Sequence, residues 1–284
     1  ILLSNHMYFV DFELTALGTF PHRINNVVNI DGYIKRAWLL RLIGAICTRK
    51  FSNDLHLIKS IKKVLKRGDS VGIYPEARYS PCGITSYIPE SVAKLVKSCN
   101  VPLVIVIHRG NHLHTPFWAW KYPRKVPLHT TIKQVLNADE INNLSVEEIY
   151  DVIKREFVYD DYKYQKENNI LITEKTRAEK LHKILYKCPH CNTEHKMNSK
   201  GIMLYCEECG ASWKLNEDGS LEGINKDTIY SHIPDWFLWE KECVKKEVEK
   251  GTYRFDDIVD VYSLPRTNGA VHLGLARASH TVED

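Results

Sequence analysis

Apolar residues recur along this chain with two different periods, and the switches between them outline its elements. In D-L-H-L-I-K-S-I-K-K-V-L-K-R-G, Leu55, Ile58, Ile61 and Val64 return every third position, with Leu57 and Leu65 beside them. Lys59, Lys62, Lys63 and Lys66 fall mostly on the other side. That spacing predicts an amphipathic helix. Asn53 or Asp54 suits its cap, and Gly68 suits the position past its end. A short apolar strand follows at 71–74, then a loop, a second helix near 90–98 and an unbroken apolar strand at 101–107. Strand, helix, strand is the grammar of an α/β sheet. The run W-L-L-R-L-I-G-A-I-C, 38–47, is broken by Arg41 and is too short to span a bilayer, so it reads as buried core.

Beyond residue 138 the pattern turns helical and highly charged. Ser145 and Glu148 in L-S-V-E-E-I-Y-D form a capping box. A polar stretch, N-E-D-G-S-L-E-G, leads to a predicted helix around 226–250. The tail from Tyr253 carries turn signals such as T-N-G and short β-like runs. The chain opens at Ile1 inside an apolar element and stops at Asp284 within that tail, so both ends read as truncated.

The 284 residues suffice for one large domain or two modest ones, and a hydrophobic share of 44% allows a sizeable core. Lys and Arg total 39 against 35 Asp and Glu, a net charge of +4. That excess is too mild to argue for nucleic acid. A disulfide-built secreted scaffold would be shorter and denser in cysteine than this chain with its eight. A reducing compartment with one metal site fits better.

Four of the cysteines form two C-x-x-C knuckles, Cys188/Cys191 and Cys206/Cys209. Two knuckles at this separation read as a zinc ribbon with four thiolate ligands. The site is closed, so zinc there is expected to be structural. His190 and His195 are alternate ligands that four cysteines make unnecessary. So small a module has little core of its own, and its metal is expected to supply much of its folding energy while the rest of the chain stands without it. Glu194, Glu207, Glu208, Glu217 and Asp218 dilute its basic charge, which points to folding or docking rather than nucleic-acid binding.

Titratable residues also cluster at the ends of the early apolar runs. S-N-H-M-Y-F-V-D sets His6 and Asp11 five apart. I-G-A-I-C-T-R ends in Arg49, and Y-P-E-A-R-Y-S-P-C-G carries Glu76 and Arg78 in a turn bounded by Pro and Gly. Loops after strand ends are where α/β sheets bind ligands. The stretch F-W-A-W-K-Y-P-R-K, 117–125, mixes aromatic and basic residues, as a lipid-headgroup edge does. Packing of its tryptophans into the core is the competing reading. H-R-G-N-H-L-H has the look of a metal-binding string, but the spacing of His108, His112 and His114 does not fit a recognisable metal motif.

Together these blocks resemble the glycerolipid acyltransferases of the phosphatidic-acid-forming type. Asn5-His6-Met7-Tyr8-Phe9-Val10-Asp11 matches that family's N-H-x-x-x-x-D box in full. Gly44-Ala45-Ile46-Cys47-Thr48-Arg49 matches its second block, and Val101-Pro102-Leu103-Val104-Ile105-Val106 its fourth, V-P-x-x-P-V, with Ile105 in place of the second proline. Tyr74-Pro75-Glu76-Ala77-Arg78-Tyr79-Ser80 matches the third, F-P-E-G-T-R-S, only in part: Ala77 replaces glycine, Arg78 comes one residue early and Tyr79 takes the arginine's place. The resemblance covers roughly residues 1–135.

It implies a mixed sheet flanked by helices, with an acyltransferase-like domain over 1–170; the cysteine spacing and the patterns after it add the ribbon at 186–216 and a helix plus β-rich segment at 217–284, which the resemblance does not explain. It implies a His6/Asp11 base, with Arg49, Glu76 and Arg78 binding the acceptor, a lysophospholipid. The donor would be acyl-CoA or acyl-carrier protein, and the place of work the inner face of the membrane, from the cytoplasm. The alternative is a protein- or nucleic-acid-binding factor built on the ribbon, with an inactive α/β domain.

Overall fold

The computed structural model describes residues 1–49, 55–266 and 269–282. The expected cap at Asn53 or Asp54 and the Thr267–Asn268 turn lie outside the described residues. Elements follow in chain order: β1 (Leu2–Ser4), α1 (Asp11–Thr19), β2 (Ile24–Asn29), α2 (Ala37–Leu42), β3 (Ile46–Thr48), α3 (Leu55–Lys66) and β4 (Ser70–Ile73). After these come α4 (Ser91–Cys99), β5 (Leu103–Arg109), the single turn α5 (Asn111–His114), β6 (His129–Leu136), α6 (Ala138–Asn143), α7 (Val146–Glu156) and α8 (Asp161–Glu167).

Six strands form one mixed sheet in the order β3-β2-β4-β1-β5-β6. Neighbours run parallel except β6, which is antiparallel to β5. β1 sits near the middle, with Leu3 beside Ile73 on one side and Ile105 on the other. Its residues are buried throughout, as a strand covered on both faces must be. The chain leaves the carboxyl ends of β1 and β4 side by side, which places the loops after Ser4 and Ile73 together. α4 and α7 cover one part of the sheet through Val92, Ala93, Val96, Ile149 and Ile153. The Ser145/Glu148 capping box is present at the start of α7.

Two expectations from periodicity meet a different packing. In α3 only Ile61 and Val64 are buried, whereas Leu55 and Ile58 face outward. The run 38–47 is not core: α2 buries none of its residues, and only Ile46 of β3 is fully enclosed.

The second half builds a four-stranded antiparallel sheet, β10-β9-β8-β7, from β7 (Met197–Lys200), β8 (Met203–Cys206), β9 (Ser212–Leu215) and β10 (Leu221–Gly223). The first two form a hairpin around Gly201, whose φ of +64° belongs to the left-handed region. α9 (Ile233–Glu249) lays Trp236 edge-on against Trp213, 4.8 Å between ring centres. One apolar core runs from Cys188, Cys206, Trp213 and Trp236 to Cys82, Leu113 and Trp118 of the first half. Last comes a two-stranded ribbon of β11 (Arg254–Arg266) and β12 (Gly269–Thr281). Among the described residues, no helix is long and apolar enough to cross a membrane.

Candidate active site and metal centre

The backbone turns sharply between β1 and α1, and Asp11 is the residue that holds the turn. Its Oδ2 accepts the backbone N–H of Met7 at 2.6 Å and of Tyr8 at 3.0 Å. The same oxygen lies 2.9 Å from Nδ1 of His6. Asn111, at the start of α5, donates to Oδ1 at 2.6 Å. Asp11 is fully buried, and His6 is partly open to solvent. A carboxylate only accepts, so His6 carries its proton on Nδ1 and leaves Nε2 as the free base.

Asn5 of the same box has a separate task. Its side chain donates to the backbone carbonyl of His108 and accepts the N–H of His108, both at 2.8 Å. It thereby extends the β1–β5 pairing past the strand end and fixes the path into His6. His108 is buried between Thr15 (3.1 Å) and Thr130 (2.9 Å), and burial pushes its pKa below the ordinary value. It is a neutral tie between α1, β5 and β6. Arg124 and Trp118 are buried as well. The stretch 117–125 is divided: Trp118, Ala119 and Arg124 are buried, whereas Trp120, Lys121, Pro123 and Lys125 are exposed.

The loop after β4 supplies the other wall. Tyr74 stacks on the His6 ring, 4.0 Å between centres, and Tyr79 tilts against it at 4.4 Å. The N–H of Ser80 donates to the His6 carbonyl at 2.8 Å. Ala77 has φ of +54°, a conformation that glycine adopts more readily, which accounts for the glycine of the resembled motif. Glu76 is buried, and its carboxylate accepts from Tyr159 OH (2.8 and 2.9 Å) and from the N–H of Ser86 (2.5 Å). Burial pushes its pKa up, against those hydrogen bonds. Glu76 thus anchors this loop.

The arginines are placed differently. Arg78 is exposed. Arg49 lines a cleft of about 770 Å³ along the edge strand β3 and α3, with Arg23, Arg41 and Arg67. His6 is not among the residues lining that cleft. Arg49 also donates to the carbonyl of Leu264 in β11 at 3.4 Å. Nothing in H-R-G-N-H marks Asn111 as the partner of Asp11, a hundred positions away. Tyr74 and Tyr79 lie in Y-P-E-A-R-Y-S, but their ring contacts with His6 depend on β1 and β4 lying side by side.

The sulfur atoms of Cys188, Cys191, Cys206 and Cys209 all lie within 4.8 Å of one another. The Cys188–Cys209 and Cys191–Cys206 separations are 3.7 Å. A disulfide would require about 2.05 Å, whereas a tetrahedron of thiolates about 2.3 Å from one ion has edges near 3.8 Å. The four could hold a metal such as zinc. Among the described residues no other group of His, Cys, Asp and Glu has this character.

No family model matches the chain, and no curated protein matches it. Among solved structures it is similar to the 1-acyl-sn-glycerophosphate (LPA) acyltransferase PlsC from Thermotoga maritima, with 15% sequence identity and a TM-score of 0.42. The likeness covers 55% of this chain and 64% of that one. At this level it leaves the functional reading to the geometry of the site.

Proposed function

We propose that the chain is an acyltransferase that moves a fatty acyl group from a thioester, acyl-CoA or acyl-carrier protein, to the hydroxyl of a lysophospholipid-like acceptor. The observation that carries this reading is the His6–Asp11 pair: a partly open imidazole, oriented through Nδ1 by a carboxylate with three further donors. As the acceptor oxygen attacks the thioester carbonyl, Nε2 takes its proton. Asp11 favours the imidazolium and holds the tautomer. When the tetrahedral intermediate collapses, the C–S bond breaks and the thiolate takes that proton from His6. The alcohol belongs to the substrate, so no acyl-enzyme is required; the G-x-S-x-G string Gly68–Gly72 lies where α3 runs into β4, not at the strand-to-helix turn that makes a nucleophile elbow.

Arg49 and Arg78 are the proposed grips for an acceptor phosphate, through charge-assisted bonds. Glu76 is read as holding the loop that walls His6. Zinc at the cysteine tetrad would have a structural role.

The test is transfer of labelled acyl groups from acyl-CoA to lysophosphatidate. His6→Ala is expected to lower kcat by about 10²–10⁴-fold, the usual worth of a positioned base, with the fold retained by circular dichroism. Near-normal turnover in that variant would overturn the assignment.

A further inference from the structure

Three side chains are joined to the His6 imidazole by a hydrogen bond or a ring contact: Asp11, Tyr74 and Tyr79. Asp11 is committed to holding the ring. The Tyr74 hydroxyl is sealed from solvent, out of a substrate's reach. Tyr79 differs from both. It is only half-buried, and among the described residues its hydroxyl has no hydrogen-bond partner. Nearby main-chain donors are already used. The N–H groups of Met7 and Tyr8 go to Asp11, that of Ala77 to the Tyr74 carbonyl, and that of Ser80 to the His6 carbonyl.

Tyr79 is also held firmly. Its ring tilts against His6 at 4.4 Å and is flanked by Phe117 and Tyr8, each at 6.4 Å. Phe117 in turn packs against the larger apolar core. Ser80, the next residue, is buried. Its hydroxyl donates to the Ile84 carbonyl at 2.7 Å, and its N–H to His6 at 2.8 Å. The phenol therefore keeps its place beside the base without substrate.

We propose that Tyr79 is a catalytic residue whose hydroxyl donates a hydrogen bond to the thioester carbonyl oxygen as that atom becomes an oxyanion. The inference rests on the acyltransferase reading and supplies what that reading lacks, a group to receive the charge that His6 helps create. The carbonyl under attack must lie beside the acceptor hydroxyl that Nε2 deprotonates, so its oxygen also lies near the imidazole that Tyr79 borders. The acceptor oxygen bonds to the thioester carbon as Nε2 takes its proton. The π pair of the carbonyl moves onto its oxygen, where the Tyr79 O–H donates and keeps its own proton. That pair returns as the C–S bond breaks and the thiolate leaves with the proton from His6.

Burial, with Asp11, Tyr8 and Asp31 nearby, pushes the Tyr79 pKa above its ordinary value. The phenol thus stays protonated in the neutral range and is a donor, not a second base. The arginines proposed for the acceptor phosphate lie elsewhere, Arg78 exposed and Arg49 in the cleft along β3. Tyr79, standing where the resembled motif has arginine, is left to serve the reacting carbonyl.

The experiment compares Tyr79→Phe, which removes only the hydroxyl, with Tyr79→Leu, which also removes the ring. Loss of one pre-organised oxyanion donor costs about 10²–10³ in kcat. Tyr79→Phe is expected to lose about that factor, with KM for acyl-CoA and lysophosphatidate nearly parental and circular dichroism unchanged. Tyr79→Leu should be no faster. A trifluoromethyl ketone analogue of acyl-CoA, bound as its tetrahedral hydrate, should lose about the same factor of affinity in Tyr79→Phe, while CoA itself binds parent and variant alike. Parental kcat in Tyr79→Phe with a fall only in Tyr79→Leu would show that the ring merely supports His6, and would overturn the proposal. So would a raised KM for lysophosphatidate at parental kcat, which marks a headgroup contact, or equal affinity for the analogue. His6→Ala separates the two readings. If that variant is inactive and Tyr79→Phe is parental, the oxyanion role alone falls. If the parent transfers nothing, the acyltransferase reading falls and the role of Tyr79 with it.

Discussion

At the scale of single residues, the site depends on how a buried carboxylate is satisfied. Asp11 has no access to water and accepts four hydrogen bonds, three on Oδ2 and one, from Asn111, on Oδ1. Removing the Asn111 donor leaves Oδ1 buried and unpaired. Hydrogen bonds to charged groups are worth about 1.5–3 kcal/mol, so Asn111→Ala should destabilise the fold by that order. Asn111 itself is buried and acts through Asp11, so kcat should fall about tenfold or more with KM for either substrate nearly unchanged. A parental kcat would show that His6 needs only the Oδ2 contacts. His6 and Asp11 were legible because their partnership is local, four intervening residues bent by a strand–helix turn. Asn111 was not, because its contact spans a hundred positions and exists only once β1 and β5 pair.

At the scale of elements, a second buried aspartate ties α8 to α5. Asp161, the first residue of α8, accepts the N–H groups of Gly110 and His112 through Oδ2, both at 3.1 Å. Burial, aided by Asp11 and Asp160, pushes its pKa up to about 7. A carboxyl raised in the folded state binds its proton more tightly there than in the unfolded chain. The folded state is therefore favoured below about pH 4, and that advantage is lost as pH rises to about 7. Glu240 in α9, raised by burial to about 8, contributes a slope of the same sign. Asp161→Asn keeps the acceptor oxygen and removes one titration. Urea melts at pH 5 and 7.5 should show a smaller loss of stability for the variant than for the parent. An unchanged difference would mean that Asp161 ionises freely in place.

The same scale shows where periodicity misled. Apolar spacing found α3, β4, α4 and β5, because each of these buries residues against the sheet. It also assigned 38–47 to the core, since hydrophobicity alone does not distinguish a face turned to protein from one turned elsewhere. The long pairing of β11 with β12 was read only as short β-like runs, because most residues of both strands are exposed and no alternation marks them.

At the scale of the whole molecule, the cysteine spacing suggests a module that folds on its metal alone, but the packing differs. Cys188 and Cys206 lie in the same core as Cys82, Leu113 and Trp118. Phe117 packs against that core, and its ring faces Tyr79 at 6.4 Å. Tyr79 in turn lies 4.4 Å from His6. A metal at the tetrad would thus hold four thiolates together at one end of a packed chain of rings whose other end touches the base. Structural zinc sites contribute about 10–16 kcal/mol in small peptides, more than most domains hold in reserve. Stripping the metal should accordingly loosen 113–119 and 79–84 along with 188–215. The separate core of Ile105, Ile149 and Ile153 should keep its protection. Hydrogen exchange before and after treatment with a strong zinc chelator checks this, with zinc added back to show reversal. Acyl transfer should fall with the protection of 79–84 and return with it, because the loop that walls His6 loses its backing. Exchange confined to 188–215 would instead show that the interface between the two halves survives on apolar contact alone.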